Sequence, residues 1–582
     1  MRPPRGTRTD PHRRYRVRTS PPGPGGLSWS GLRAPMRTLF RALRPASARA
    51  LGVGGLVVLL LSVPGCLSPK EARESADREV YTVLRHLRDD LARGEAFTIE
   101  PPVETLRDRI LEGGEELAPL TLVDCLDIAA ENSRTFQTQK EDLYLSALDL
   151  TLARWNYSVR ETGTFGAFLQ GARNAPTTTG ETATFSFSKL FATGLSVLGD
   201  FSIGLAKDVS NGNPWQAITN ANLSITQPLL RGFGRDIVLE PLTQAERNVI
   251  YQARAYDRFR RTFAYEVTSR FYRLLEQQDV LENQIQNQEG LRVLRERNEA
   301  FAEAGLLNDI QVDQARQDEL RARDRVIAAR RALDASLDDF KLFLGLPIET
   351  PIALDPGDRV SLEAWEGLEF TLPEDVAIQV ALQERLDQRT VHDRVDDSLR
   401  RVRVAADQLR MALDLGVDVA AASETNALAR YDPDSLSSSV RLDIDFSIDK
   451  LRERNDYRES LIQAERAKRD EIEAADRIRA DIRDLLRRAD AALESYKIQS
   501  RAVTLAERRV ESSQLNLEAG RASTRDVLEA QEALVTAQNA ATSALTDAIL
   551  TGLALYRDME LLRVDEDGIH LESAPILGRV RE

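Results

Sequence analysis

The sequence predicts a mostly α-helical chain that adds a smaller set of strands of membrane-barrel length, and three features predict it. Two long stretches, residues 242–346 and 434–574, contain no proline. Each carries an apolar seam in steps of three and four that begins after a glycine, Gly305 in one and Gly520 in the other; it continues upstream of Gly520 and is more ragged upstream of Gly305. Ahead of the long rod in each stretch the apolar period drops to two, the period of a strand with one wet and one dry face.

Composition agrees with long helices. Of the 582 residues 29% are charged and only 6% aromatic, which favours rods with narrow seams over a compact globule. The net charge of -14 is uneven, because residues 1–65 hold twelve arginines and one acidic residue. The remainder has 66 basic residues against 91 acidic, a net -25 that argues against a nucleic-acid partner, since phosphate binding needs a basic face. Two cysteines and four scattered histidines show no metal spacing, so no metal or other cofactor is expected.

Residues 1–65 read as a leader. The apolar run LGVGGLVVLLLSVPG, residues 51–65, follows Arg37, Arg41, Arg44 and Arg49 and ends at Cys66. A basic stretch, a short apolar core and small residues describe a secretory signal; the run is short of the ~20 residues a membrane span needs. Cys66 after Val63-Pro64-Gly65 resembles a bacterial lipobox, which implies lipidation of Cys66. An ordinary signal peptide with an incidental cysteine is the alternative. Met36 is a natural second start. Residues 66–117 form an extension in which Val80, Val83, Leu84, Leu87 and Leu91 line one helix face.

From residue 118 one pattern appears twice, at 118–350 and 351–566, with a tail at 567–582. LVDCLDIAAENSRTFQTQ from Leu122 parallels LPEDVAIQVALQERLDQRT from Leu372, which puts Cys125 on Ala377 as a packing position. Ala304 to Val312 parallels Ala519 to Val527. After the glycine the first seam runs Val312, Ala315, Glu319, Ala322, and the second Val527, Ala530, Leu534, Ala537. Rods are expected over about 240–304 and 452–519, each roughly 100 Å long at ~1.5 Å per residue. Strands are expected at Thr184–Ser188, Leu195–Ile203, Ala221–Gln227, Gly416–Asn426 and Val440–Ile448, with polar turns at 174–181 and 208–213. The alternation of Val440, Leu442, Ile444 and Phe446 with Arg441, Asp443 and Asp445 suits a barrel wall facing lipid; a small soluble sheet is the other reading.

This order of elements resembles the TolC family of outer-membrane efflux proteins. Local motifs carry the likeness over residues 118–566: the opening LTLVDCLDIAAENS, the run Gln227 to Gly234, and rods closing in Leu344-Gly345-Leu346-Pro347 and Leu555-Tyr556. The resemblance implies a homotrimer in which each chain gives four strands to a shared twelve-stranded barrel and its helices to a coiled-coil α-barrel through the periplasm. It implies an outer-membrane location, contact with outer-membrane lipid, and partners in a periplasmic membrane-fusion adaptor and an inner-membrane pump. Gly305, Leu306, Gly520 and Arg521 match the family's adaptor-contacting tips, and Asp526 and Glu529 fall on its constricting acidic ring. Ile310 and Gln311 stand where the family often has a hydroxyl or acidic residue, so the contacts that close the first tip are expected to differ.

An enzyme is disfavoured, because the chain has no G-x-x-x-x-G-K-[ST] loop and no nucleophile motif. A non-conducting coiled-coil envelope scaffold is the stronger competitor, since its helices would look alike. The sequence leaves the cargo open.

Overall fold

The computed structural model describes residues 67–571 except 92–96, 101–103, 114–117, 173–174, 356, 358–371, 428–429, 432, 447 and 566–567. The leader, Cys66 and the tail after Leu571 lie outside the described residues. The chain divides into a unit of residues 1–73, described only from Leu67, and a second of residues 74–582.

Helices come first: α1 (Pro69–Leu91), α2 (Leu106–Gly113), α3 (Leu122–Asn132) and α4 (Arg134–Trp155). Thr121 and Asp124 close a capping box at the start of α3, satisfying free amides of its first turn. Strands β1 (Arg160–Ala172), β2 (Ala175–Leu190), β3 (Ser196–Asp208) and β4 (Gln216–Pro228) follow. Rod α5 (Glu240–Glu303) returns through α6 (Asp309–Leu344). Then come α7 (Glu374–Glu384), α8 (Leu386–Gln408), β5 (Ala412–Ala422), β6 (Ser437–Asp445), rod α9 (Leu451–Glu518) and α10 (Thr524–Asp558). A small hairpin of β7 (Leu562–Asp565) and β8 (Gly568–Leu571) ends the described chain. The rods of 64 and 68 residues begin and end within a residue of their expected limits.

The seams are the packing surfaces. Val312, Ala315 and Ala322 of α6 are buried, as are Val527, Ala530, Ala544 and Ala548 of α10 and Ile478, Ile482, Ala489 and Ala506 of α9. Small residues at these positions let α9 and α10, and α5 and α6, lie close along their lengths. Cys125 and Ala377 are both fully buried, each on the inner side of its short helix. Cys125 belongs to a core shared by α3, α5, α6 and α10, where Phe263 sits 5.2 Å from Phe136 and 5.4 Å from Phe343. Val80, Val83 and Leu84 of α1 pack with Leu143, Tyr144 and Leu150 of α4.

The strand count departs from expectation. The chain contributes six strands, not four, to one antiparallel sheet in the order β1-β2-β3-β4-β5-β6. Strand β1 is hard to see because Gly163, Gly166 and Gly171 interrupt its alternation. From Ala175 to Glu181 the segment expected as a turn is strand, since β-branched Thr178 and Thr179 pair with both neighbours; Asn174 lies outside the described residues. Ala172 pairs with Ala175, beside a bulge at Gln170/Ala172.

Register gives the sheet two unlike faces. Row by row, Phe165, Ala183, Ile203 and Thr219 pair across β1 to β4, while Phe187, Gly199, Leu223, Val419 and Ser438 pair across β2 to β6. With Phe185, Phe201, Ile225, Val417, Val440 and Leu442 they make one predominantly apolar face. The other face is largely polar. Asn222 donates to Asp200 at 2.8 Å, Ser224 donates to Asp418 at 2.7 Å, and Arg441 pairs with Asp418.

Candidate functional site

Both hairpin tips are built by the same backbone device. At the end of α5, Gly305 takes φ +74° and donates to Ala302 O at 2.8 Å, while Leu306 N donates to Phe301 O at 2.8 Å. At the end of α9, Gly520 takes φ +66° and donates to Leu517 O at 3.0 Å, and Arg521 N donates to Asn516 O at 2.8 Å. These are paired Schellman motifs, which require a left-handed residue where a side chain is penalised. The helices restart on side-chain caps. Asn308 Oδ1 accepts from Ile310 N at 3.1 Å, and Ser523 forms a capping box with Asp526.

The structure therefore gives Asp526 a local task. Its carboxylate accepts from Ser523 N at 2.8 Å and from the Ser523 hydroxyl at 2.7 Å. Those two bonds, the backbone one first, hold the Asp526 carboxyl below its ordinary range. Glu529 accepts from Arg525 Nε at 3.0 Å, so an arginine accompanies the second carboxylate. Both acidic side chains are exposed, while Val527 and Ala530 of the same helix are buried. Leu306 and Ile310 at the first tip are also exposed, at 72% and 63%.

Behind the tips the two hairpins are joined. Leu291 and Leu294 of α5, Ala322 of α6, Leu517 of α9 and Val527 and Leu528 of α10 form one apolar cluster. Above it runs a polar thread that sequence reading missed. Asn298 Nδ2 donates to Thr524 Oγ1 at 3.1 Å, and that hydroxyl donates to Gln311 Oε1 at 3.3 Å. Asn298 and Thr524 are fully buried. A polar residue interrupting each apolar seam beside its glycine is the signal that could have found them. Ion pairs add to the link: Arg297 to Glu518 at 3.3 Å and Arg325 to Glu532 at 3.6 Å. Between α5 and α6, Glu299 accepts from Arg316 at 2.8 Å and Arg295 at 2.7 Å, which holds its carboxyl below the ordinary range.

A second junction lies at the far end of α10. Glu560, its side chain 2% exposed, accepts from Arg258 at 2.6 Å and also from Arg261, both on α5. Among the described residues no group of three or more acidic, histidine or cysteine side chains is arranged to hold a metal, and no helix is long and apolar enough to cross a membrane.

The architecture is a TolC-like fold. It resembles solved outer-membrane channel structures: CusC, with a TM-score of 0.57 at 12% identity over 79% of this chain and 98% of that one; the outer membrane protein VceC of Vibrio cholerae, 0.55 at 14% over 75% and 95%; and the MtrE outer membrane channel of Neisseria gonorrhoeae, 0.53 at 12% over 81% and 97%. At such identities the likeness is one of fold. These neighbours are channels rather than enzymes. No protein-family model matches the sequence, and no curated protein matches it.

Proposed function

We propose that this chain is one subunit of a homotrimeric outer-membrane duct, lipid-anchored at Cys66, which passively conducts cargo from an adaptor and inner-membrane pump across the periplasm and outer membrane. Tripartite efflux and type I secretion both fit this role. The single observation that carries the reading is an incomplete enclosure. A sheet with one predominantly apolar face continues into a four-helix wall, and both end in open edges.

Contacts order the wall near the tips as α6, α5, α10, α9, and near the sheet as α4, α5, α8, α9. The edge helices carry unpartnered apolar residues seven positions apart. Leu145 and Leu152 do so on α4, Leu320 and Ile327 on α6, and Ile498 and Leu505 on α9, every one more than half exposed. Seven-residue spacing is the stripe a neighbouring helix covers in a coiled coil. The sheet edges β1 and β6 present unpaired backbone groups that hydrocarbon does not tolerate. Copies of the chain placed edge to edge remove both defects, and the resemblance sets their number at three. The chain then comprises two unequal repeats, 118–350 and 351–566, the first with four strands and the second with two.

In the trimer the tips ring the periplasmic mouth. Gly305, Leu306, Gly520 and Arg521 face the adaptor, with exposed Leu306 and Ile310 as apolar contacts. Asp526 and Glu529 supply the acidic collar, moderated by Arg525. The thread from Asn298 through Thr524 to Gln311 keeps each chain's two hairpins together. A coiled-coil scaffold has no use for a sheet with one lipid-facing side.

The test is conductance of the purified protein in planar bilayers. Asp526→Ala with Glu529→Ala is expected to raise conductance several-fold and weaken block by divalent cations. Channels that respond to neither substitution would remove these residues from the constriction. No channel in either protein would favour the scaffold.

A further inference from the structure

We infer that the membrane section of the duct is an eighteen-stranded barrel, closed by β1 of each copy pairing with β6 of the next; this rests on the trimer proposed above. Three copies of a six-stranded sheet give eighteen strands. The alternative is a twelve-stranded barrel of β3 to β6, with the β1–β2 hairpin folded away from it.

Three observations place the hairpin in the wall. Its pairing is continuous: β2 meets β3 over thirteen consecutive residue pairs, from Thr178↔Asp208 to Leu190↔Ser196. The Phe187 ring lies over Gly199 of β3 so closely that a Cβ there has no room. Its facing is continuous too. Phe165, Phe185 and Phe187 stand on the apolar face shared with Phe201, Leu223 and Val440, and they are exposed. A hairpin in water would strand three phenylalanines there, whereas a hairpin in lipid buries them.

The shear is continuous as well. The paired row that starts at Arg160 passes through Ser188, Leu198, Ser224 and Asp418 to Ser439. Ser439 lies six residues short of Asp445, where β6 ends beside the helices. A stagger of about one residue per strand, at ~3.3 Å rise and ~4.8 Å spacing, corresponds to a tilt of roughly 35°, as barrels require.

The edges fit each other. An even number of strands per chain makes β1 antiparallel to a neighbour's β6. The stagger then sets Arg160, at the base of β1, level with Asp443 and Asp445 on the same polar face of β6. Arg160 stacks on Trp155 at 5.4 Å. Its guanidinium joins Arg441 and Arg231, which already pair with Asp443 and Asp445 within their own chain, in a row of alternating charge across the seam. Because barrel diameter grows roughly linearly with strand number, the bore is about 1.5 times as wide as with twelve strands.

Disulfide trapping in a Cys125→Ala background tests this. Thr162→Cys with Asp443→Cys, and Gly166→Cys with Ser439→Cys, are expected to give covalent dimers and trimers on mild oxidation. Leu198→Cys with Asp443→Cys, and Ser202→Cys with Ser439→Cys, are expected to give none. In a variant lacking residues 160–190, β3 becomes the edge, and the second pair of combinations is expected to cross-link instead. β3-to-β6 cross-links in the full chain, or a trimer by mass with no cross-link from either set, would overturn the eighteen-stranded barrel while leaving the trimer standing. A protein that is not trimeric by mass would overturn the proposed duct and this inference with it.

Discussion

Glu560 shows how single residues hold the two halves of the wall together. It occupies the left-handed position after α10, φ +61°, where glycine is the usual residue. The cost of that backbone is offset by its carboxylate between Arg258 and Arg261 of α5. Glu560→Gln removes the charge shared by the two guanidiniums, which keep Asp387 and Asp257 as partners, and loss of such a charge-assisted bond costs about 1.5 kcal/mol. A lower urea midpoint for loss of helical signal is expected; an unchanged midpoint would refute the role. Asp526 makes a prediction with a definite pH direction. Its carboxyl lies below the ordinary value of 3.8, so the cap is intact above that value. It is lost as pH falls through the lowered one. Amide exchange over residues 523–530, corrected for intrinsic rate, is expected to accelerate below pH ~3.8, and Asp526→Asn to abolish the dependence. Constant protection from pH 5 to 2 would contradict it.

At the scale of elements, the rods and tips were the most legible part of the sequence. Rods of 64 and 68 residues, free of proline past their first turn, ended by Gly305 and Gly520 and followed by seams in steps of three and four, admit few other structures. The tip glycines make that claim testable, because Gly520→Val forces a branched side chain into φ +66°. A penalty of about 1–2 kcal/mol is expected from the left-handed backbone. It should appear as faster proteolysis at residues 519–523 with the remaining helices protected, and equal protection would refute the turn's dependence on glycine. Sheet content was only half legible. Strand β6 alternates cleanly from Val440 to Asp445, but in β1 glycines 163 and 166 thin the pattern, and Thr177 to Thr179 resemble a polar loop. Their facing is decided by pairing of β1 with β2 and of β2 with β3, contacts that periodicity does not report. The thread from Asn298 to Thr524 and Gln311 was hidden for the same reason: three residues far apart in sequence meet only once the two hairpins pack. The acidic pair at 526 and 529 was visible by spacing, but its local engagement with Ser523 and Arg525 was not.

For the whole molecule, the chain resolves its own core yet leaves its edges unfinished. Apolar residues seven apart on α4, α6 and α9, the two open strands β1 and β6, and a predominantly apolar sheet face all await partners of different kinds. In the duct proposed above, copies of the chain satisfy the helix and strand edges, lipid satisfies the sheet face, and the tips stay free for a periplasmic partner. The most direct measurement of this account is the mass of the unboiled, detergent-solubilised protein recovered from an outer-membrane fraction. A heat-sensitive assembly near three times the mass of the mature chain is the predicted result. A monomer or dimer released from the membrane by salt alone would contradict it.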